Sequence, residues 1–302
     1  MSGMTDENRR SQVARKTTLV SVVVNLFLSS AQVLAGVFCG SQGLIADGIH
    51  SLSDLVADFV VLLANKKSRQ PSDDDHPYGH WRYENGASLA IGALLLLVGA
   101  GMLWSACDKL WHPVSIQNVH ITALWVALAA LVAKEILFRN ILRAAKQIHS
   151  SMLIANAWHA RSDAASSVVV AVGIIGNLAG FAWLDPVAAL VVGALVTRMG
   201  YTFSSDALHD LMDRSVDRDT EQQITATILA TPGVAALHDL KTRRAGDFIL
   251  VDVHIEVPGN LSVAQGHDIA LTARSRVLNS HNVMHMMIHI DPCRAEIAAM
   301  NT

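Results

Sequence analysis

Long stretches without a charged residue dominate the first two thirds of the chain. No Asp, Glu, Lys or Arg occurs within residues 17–46, 85–107, 110–133 or 164–184. About 20 apolar residues are enough to cross a bilayer as a helix, and each stretch exceeds that length. The pattern predicts six membrane-spanning helices, at residues 17–38, 43–65, 86–108, 118–140, 156–180 and 184–204.

The connections between these segments differ in their basic residues. The loops at 39–43 and 180–185 carry no Lys or Arg. Basic residues lie instead before the first segment, after the second and after the fourth: Arg9, Arg10, Arg15, Lys16, Lys66, Lys67, Arg69, Arg82, Arg139, Arg143 and Lys146. Because cytoplasmic loops are enriched in Lys and Arg, we expect both termini in the cytoplasm.

From about residue 205 the pattern becomes that of a water-soluble domain. Residues 248–257 alternate apolar and polar side chains, which is typical of a half-buried strand. Capping-box spacings and two further apolar runs supply the other elements: Asp219 with Gln222, Ser262 with Gln265, and strands at 235–243 and 283–290. The resulting order, α-β-β-α-β, predicts an α+β domain of ferredoxin-like or metallochaperone-like type.

The composition supports this division. Only 16% of the 302 residues are charged, against about 25% in soluble domains, and the mean hydropathy is +0.34. A soluble enzyme and a disordered protein are excluded, and the three scattered cysteines exclude a disulfide-stapled domain. The net charge of -3 gives no reason to expect nucleic acid as a partner. We predict a cytoplasmic segment at 1–16, an all-α transmembrane domain at 17–207 with a loop at 66–85, and a cytoplasmic domain at 208–302.

Two predicted spans contain ionisable residues at matched spacing. His50 and Asp54 lie four residues apart in the second span, and His159 and Asp163 repeat the spacing in the fifth. Residues at i and i+4 share one helical face. A carboxylate at the bilayer centre costs roughly 2.5–3.5 kcal/mol, so a compensating partner is needed. Two imidazoles and two carboxylates form a tetrahedral set that suits Zn²⁺, whereas Mg²⁺ and Ca²⁺ prefer oxygen ligands alone.

These residues also permit simpler interpretations. They could make helix-packing hydrogen bonds, or line a proton path without a metal; duplication of the pair on two spans favours the metal. Asp47 and Asp58 lie on the second span as well. Asp58 is one helical turn beyond Asp54, where it could line a cavity or simply contact water near the cytoplasmic end.

Two further groups of histidines lie outside the predicted membrane segments. Asp73, His76 and His80 have the spacing of a three-ligand metal site, although a polar turn with incidental histidines is the plain alternative. Residues 205–302 hold seven of the 14 histidines, which favours a metal site there even though many histidines are ordinary surface or core residues.

At this point the motifs identify a resemblance to a known family. The chain resembles the cation diffusion facilitators, and among them the bacterial ferrous-iron and zinc efflux pumps, from about residue 15 to Pro292. The resemblance is carried by GLIADGIHSLSDL at 43–55, DDDHPYGHWRYE at 73–84, ANAWHARSDAASS at 155–167, LMDRSVD at 211–217, and the tail segments ALHDL, DVHIEV, QGHDIA and IHIDPC.

The resemblance implies three metal sites and one charge contact. The transport site falls on His50, Asp54, His159 and Asp163, and the loop site on Asp73, His76 and His80. A binuclear cytoplasmic site falls on His238, His254, His267, His289 and Asp291, with Asp291 as the bridging carboxylate. A charge interlock between subunits maps onto Arg82 and Asp213.

The resemblance also implies a function. His50 stands where the most similar iron and zinc pumps have Asp; since His is typical of zinc-selective branches, zinc is favoured, with Cd²⁺ or Fe²⁺ as further substrates, and manganese is disfavoured. We therefore expect a homodimeric, multi-pass Zn²⁺ efflux transporter of the bacterial inner membrane, exchanging metal for protons. Zinc would be both substrate and regulatory ligand of the tail, and no organic cofactor is expected.

Two other classes remain as alternatives. An intramembrane protease would carry HExxH or GxSxG, and neither motif occurs in the chain. A membrane metal sensor or assembly scaffold could use the same fold without transport, and a flux assay separates it from a transporter.

Overall fold

A computed structural model of the chain describes residues 2–112, 118–147, 151–246 and 248–293. Within these ranges side chains are described from residue 17 onward, apart from residues 18, 151–153, 155, 156 and 159. The chain forms two compact units, one made of residues 1–60 and 91–202 and the other of residues 61–90 and 203–302.

Six long helices come first along the chain. Their bounds are α1 (Ser2–Cys39), α2 (Gln42–Ser68), α3 (Tyr83–Trp111), α4 (Ile121–Gln147), α5 (Ser151–Leu178) and α6 (Leu184–Leu211). They overlap all six predicted segments and mostly extend beyond them, although α4 begins at 121 instead of 118 and α5 ends at 178 instead of 180. The largest differences are in α1, which begins at residue 2 instead of 17, and in α4 and α6, which end at 147 and 211 instead of 140 and 204. Polar residues with good helix propensity continue a helix after its apolar part has ended, so hydropathy alone underestimates its length.

Four described helices are long and apolar enough to cross a membrane. They are residues Leu19–Cys39 of α1, together with α3, α4 and α6. α2 and α5 have similar lengths of 27 and 28 residues, and they carry the ionisable residues singled out above. That these two helices also span the bilayer, giving six spans, stays a prediction.

A buried carboxylate fixes the start of α2. Gly40, with φ of 74°, ends α1 in the left-handed conformation that glycine adopts readily. Ser41 then donates its hydroxyl to Asp185 Oδ1 at 2.6 Å, and the backbone N–H of Gln42 donates to Asp185 Oδ2 at 2.7 Å. Asp185, at the start of α6, therefore caps α2 and sets where this helix begins.

The second unit contains the small mixed domain. Its elements are α7 (Arg218–Leu229), β1 (Ala236–Ala245), β2 (Phe248–Val257), α8 (Val263–Ser280) and β3 (Val283–Pro292). The sheet order is β1-β2-β3, with β2 antiparallel to β1 and parallel to β3. The predicted order of elements is confirmed, and α8 supplies the crossover that a parallel pair requires.

One face of this sheet is apolar and the other is polar. Val253 and Ile255 are buried with Ile224 of α7 and Val277 of α8 in one core cluster. Since alternate strand residues point to opposite faces, His254 lies on the other side. The predicted capping box of Ser262 and Gln265 is present at the start of α8.

The start of α7 differs from the prediction. Its N-cap is Asp217, whose carboxylate accepts the backbone N–H of Thr220 at 2.9 Å, rather than Asp219. Asp219 lies in the first turn, where an acidic residue also interacts favourably with the helix dipole.

Candidate metal centres

Three of the four residues predicted for the membrane site lie together. His50 and Asp54 face the same way on α2, with Nδ1 and Oδ2 3.5 Å apart. One ligand atom each from His50, Asp54 and Asp163 lies within 4.8 Å of the other two. His50 is only 5% exposed. The side chain of His159, the fourth predicted ligand, lies outside the described residues. Two carboxylates and an imidazole at this spacing can bind a small divalent cation.

A small cavity adjoins this cluster. Its volume is about 50 Å³, enough for an ion with one water molecule. It is lined by Asp54 and Asp163, and by Asp58 one helical turn away, with Ser21, Val22, Asn25, Ser51, Leu55, Lys134, Leu137 and Ala160. Asp58 therefore lines the cavity of the membrane cluster without belonging to the cluster.

A second ionic group lies beside the membrane cluster. Asp47 is fully buried, and Lys134 of α4 is 4% exposed; Lys134 Nζ lies 3.2 Å from Asp47 Oδ2. Gln32 and Ser167 also donate to Asp47 Oδ2, and Ser166 donates to Oδ1. The buried carboxylate is thus matched by a cation and by three neutral donors, as burial of its charge requires.

The three loop residues lie together, with Asp73 and His76 exposed. His76 Nδ1 and His80 Nε2 approach the two carboxylate oxygens of Asp73 at 3.0 and 3.3 Å. Desolvation acts to raise the pKa of Asp73, but hydrogen bonds from His76 and the charges of His80 and His76 outweigh it and lower that pKa. His80 is buried, and its other nitrogen, Nδ1, lies 3.2 Å from the carbonyl of Pro71, a contact that orients the ring.

Strand pairing assembles the cytoplasmic cluster. His238 pairs with His254 across β1 and β2, and His254 pairs with His289 across β2 and β3. The three imidazoles form a row on the polar face, with ring centroids 5.2 and 4.5 Å apart. Asp291 contacts all three at 3.3, 3.0 and 3.4 Å, in the order His238, His254, His289. A carboxylate in this position can bridge two ions.

The charges around Asp291 affect its ionisation. Desolvation acts to raise the pKa of Asp291, but the hydrogen bond with His254 and the charges of all three histidines outweigh it and lower that pKa. The carboxylate is therefore held in the ionised form that binds a metal.

Two predicted assignments look different in three dimensions. His267 is exposed on α8, and among the described residues it belongs to no cluster of potential ligands. Arg82 Nη2 contacts Asp213 Oδ1 within a single chain, where the resemblance implied a contact between subunits. Arg82 also donates to the carbonyl of Leu211 at 3.4 Å.

Sequence reasoning missed two groups near these sites. Asp239 lies next to the cytoplasmic cluster with ligand atoms near those of His238 and His254, and its φ of 50° falls at the irregularity in the β1–β2 pairing. Lys134 follows the charge-free stretch 110–133 and lies inside the span predicted at 118–140, but it was given no role. A lysine inside a predicted span is itself a signal, because intramembrane cations need a partner.

The chain matches two models of protein families. The model described as the cation efflux transmembrane domain matches residues 18–212, and that for the cytoplasmic domain of cation efflux proteins matches residues 216–293. A solved structure of a MamM CTD variant is 19% identical and covers 25% of this chain and 92% of its own, with a TM-score of 0.25.

Similar proteins are found in plants and bacteria. Metal tolerance protein C1 of Arabidopsis thaliana is 36% identical over 90% of this chain, which spans 61% of the plant protein. Manganese efflux system protein MneS of Bacillus subtilis is 32% identical, covering 91% of this chain and 94% of its own. Magnetosome protein MamB of Paramagnetospirillum magneticum is 33% identical over 80% of this chain and 81% of its own. The chain belongs to the cation diffusion facilitators, a family of cation efflux transporters.

Proposed function

We propose that the chain exports divalent metal cations, Zn²⁺ before others, from the cytoplasm in exchange for protons. The observation that carries this proposal is the cluster of His50, Asp54 and Asp163. Buried carboxylates and imidazole between two long helices are costly unless they bind an ion. A site at this depth serves transport better than storage, because an ion bound there is removed from the cytoplasm.

The ligand types support zinc. Imidazole with carboxylate suits Zn²⁺, and Mn²⁺ favours sites richer in oxygen ligands. The manganese efflux proteins among the relatives make Mn²⁺ the competing substrate. His50 is the ligand that favours Zn²⁺ over Mn²⁺, because replacing its nitrogen by a carboxylate oxygen would make the ligand set richer in oxygen.

The ligand chemistry supports exchange for protons. Metals bind deprotonated imidazole and carboxylate, so metal and protons compete for the same atoms. A site that opens alternately to each side of the membrane then couples proton entry to metal exit.

The match to the cytoplasmic-domain family supports a regulated homodimer. The bacterial relatives and the basic residues of the loops support the bacterial inner membrane, with both termini in the cytoplasm. Metal bound by His238, His254, His267, His289 and Asp291 would stabilise the dimeric domain by linkage. The Asp73, His76 and His80 group provides a third metal site, and the contact of Arg82 with Asp213, both in the second unit, connects the loop to the cytoplasmic domain.

The test is metal flux into proteoliposomes carrying the purified chain, with an imposed pH gradient and Zn²⁺, Mn²⁺, Cd²⁺ or Fe²⁺ outside. We expect gradient-driven Zn²⁺ uptake, its loss in Asp54→Asn, and a shift toward Mn²⁺ or Fe²⁺ in His50→Asp. Asp108→Asn is the matched control, because Asp108 is an exposed carboxylate of α3 that does not line the cavity of the ligand cluster.

Two outcomes would contradict the proposal in different ways. Faster Mn²⁺ than Zn²⁺ uptake by the wild type would overturn the choice of zinc alone. No uptake of any ion, with zinc still bound by the cytoplasmic domain, would favour a sensor or scaffold.

A further inference from the structure

The ion pair of Asp47 and Lys134 lies within the membrane unit but outside the ligand cluster. Both side chains are buried, at 0% and 4% exposure, and they come from different helices, α2 and α4. A buried ion pair contributes little net stability, because desolvation of two charges offsets their attraction. Stability alone is therefore a weak reason for placing it there.

Hydrogen bonds connect this pair to the residues that carry the ligands. Lys134 donates to Ser51, the neighbour of His50, at 3.1 Å and to Ser167 of α5 at 2.8 Å. Ser166, which donates to Asp47, also donates to the backbone carbonyl of Asp163 at 2.7 Å. Lys134 further lines the same cavity as Asp54 and Asp163.

The positive charge of a lysine beside a cation site opposes cation binding unless a neighbouring anion compensates it. With neutral imidazoles, Asp54 and Asp163 carry a charge of -2, which one divalent ion cancels, and Asp58 on the same cavity brings the total to -3. Asp47 without Lys134 would change this total to -4, and Lys134 without Asp47 would change it to -2. Charges separated by about one to two helical turns interact appreciably where water is excluded.

We propose that the Asp47–Lys134 pair sets the net charge of the membrane metal site and thereby its affinity for metal. Because Lys134 compensates the charge of Asp47, the affinity stays low enough for a divalent ion to leave. Asp47 and Lys134 are positioning residues and do not touch the ion. The inference rests on the proposed function, since it takes the His50, Asp54 and Asp163 cluster as the transport site.

Single substitutions distinguish this role from mechanical support. Lys134→Gln and Asp47→Asn break the same ion pair, so a purely structural role predicts that both weaken binding. The charge role predicts opposite signs: about tenfold or more tighter binding in Lys134→Gln and about tenfold or more weaker binding in Asp47→Asn.

Binding is measured by titrating Zn²⁺ against a chelating dye. The protein is the full chain in detergent, with His80→Ala and Asp291→Ala weakening the other two clusters. Ser167→Ala is the matched control, because it removes hydrogen bonds to both Asp47 and Lys134 without changing the charge; its affinity should stay within about twofold of the starting protein. Shifts of the same sign in both single variants, or no shift in either, would overturn the proposal.

The double variant Asp47→Asn/Lys134→Gln covers the case in which a single variant does not fold. It leaves no uncompensated buried charge, and we expect an affinity within about threefold of the parent. A folded double variant that binds more than about tenfold weaker would refute charge balance. Flux is measured separately: a wild type that binds Zn²⁺ at the membrane site without moving it would contradict transport, and the signs of the two affinity shifts would still decide the role of the pair.

Discussion

Replacing His254 by alanine should remove most of the stabilisation that a bound metal ion gives the cytoplasmic domain. His254 occupies the middle of the row, with its ring between those of His238 and His289 and its Nδ1 3.0 Å from Asp291. An ion bound by this row must either use His254 as a ligand or span the longer distance between His238 and His289. The side chain is 38% exposed, so its loss should leave the metal-free domain nearly as stable as before.

The size of the effect follows from linkage. A ligand at 100 times its Kd stabilises the folded state by about 2.7 kcal/mol. For a domain of this size, 1 kcal/mol moves the Tm by about 4–8 °C, so zinc should raise it by roughly 10–20 °C. If the affinity falls about 100-fold, the same zinc concentration stabilises by only about 0.4 kcal/mol, a shift of roughly 2–3 °C.

The assay is scanning calorimetry of the full chain in detergent, with and without Zn²⁺ at 100 times the wild-type Kd. His285→Ala is the matched control, because His285 lies on the same strand but pairs with Leu250 and belongs to no described ligand cluster. It should keep the full shift. A wild-type shift in His254→Ala, or an equal loss in His285→Ala, would refute the reasoning.

Two further predictions concern the scaffold. The hydrogen bond from the Thr220 backbone lowers the pKa of Asp217 in the folded state, so this N-cap stabilises above the unfolded pKa of about 3.9 and the gain is lost as the pH falls through the folded value. The Tm difference between wild type and Asp217→Asn should therefore be largest near pH 7 and should shrink toward pH 3; a constant difference would contradict this. Gly200→Ala should destabilise α6 against α3 by about 1–3 kcal/mol, because a Cβ there would lie 2.7 Å from the backbone nitrogen of Leu96. Denaturation in detergent measures this, with Gly101→Ala, which meets nothing within 4 Å, expected to keep wild-type stability or better.

Local sequence patterns predicted which helices and strands form more accurately than the residues at which they begin and end. Apolar and polar side chains alternate over residues 248–257, and this alternation predicted β2 with its observed bounds. Alternate side chains of a half-buried strand point to opposite faces, so the pattern lasts as long as the strand. The cap of α7 was placed two residues late, at Asp219, since several acidic residues near a helix start satisfy the same spacing rule. Which carboxylate caps depends on where the chain turns, and that is set by contacts such as the one between Val216 and Thr242.

Contacts between elements could be anticipated only in part. The pairing of His50 with Asp54 follows from helix geometry, but spacing does not say that Asp163 of α5 meets them. The row of His238, His254 and His289 needed the strand register, which alternation leaves open. Lys134 was given no role although it lies in the predicted span 118–140, because only His and Asp pairs at matched spacing pointed to the metal site, and the sequence pattern does not show that Lys134 meets Asp47 of another helix.

In all three clusters an imidazole already contacts a carboxylate. A histidine lies 3.5 Å from Asp54 in the predicted membrane site, 3.0 Å from Asp73 in the loop and 3.0 Å from Asp291 in the cytoplasmic domain. An entering ion must therefore replace existing contacts between imidazole and carboxylate, which offsets part of the energy of coordination. A site whose ligands were held apart and unsatisfied would bind more tightly and release more slowly. For a transporter whose ion has to leave on the other side, moderate affinity is an advantage, and the charge balance around Asp54 and Asp163 acts in the same direction.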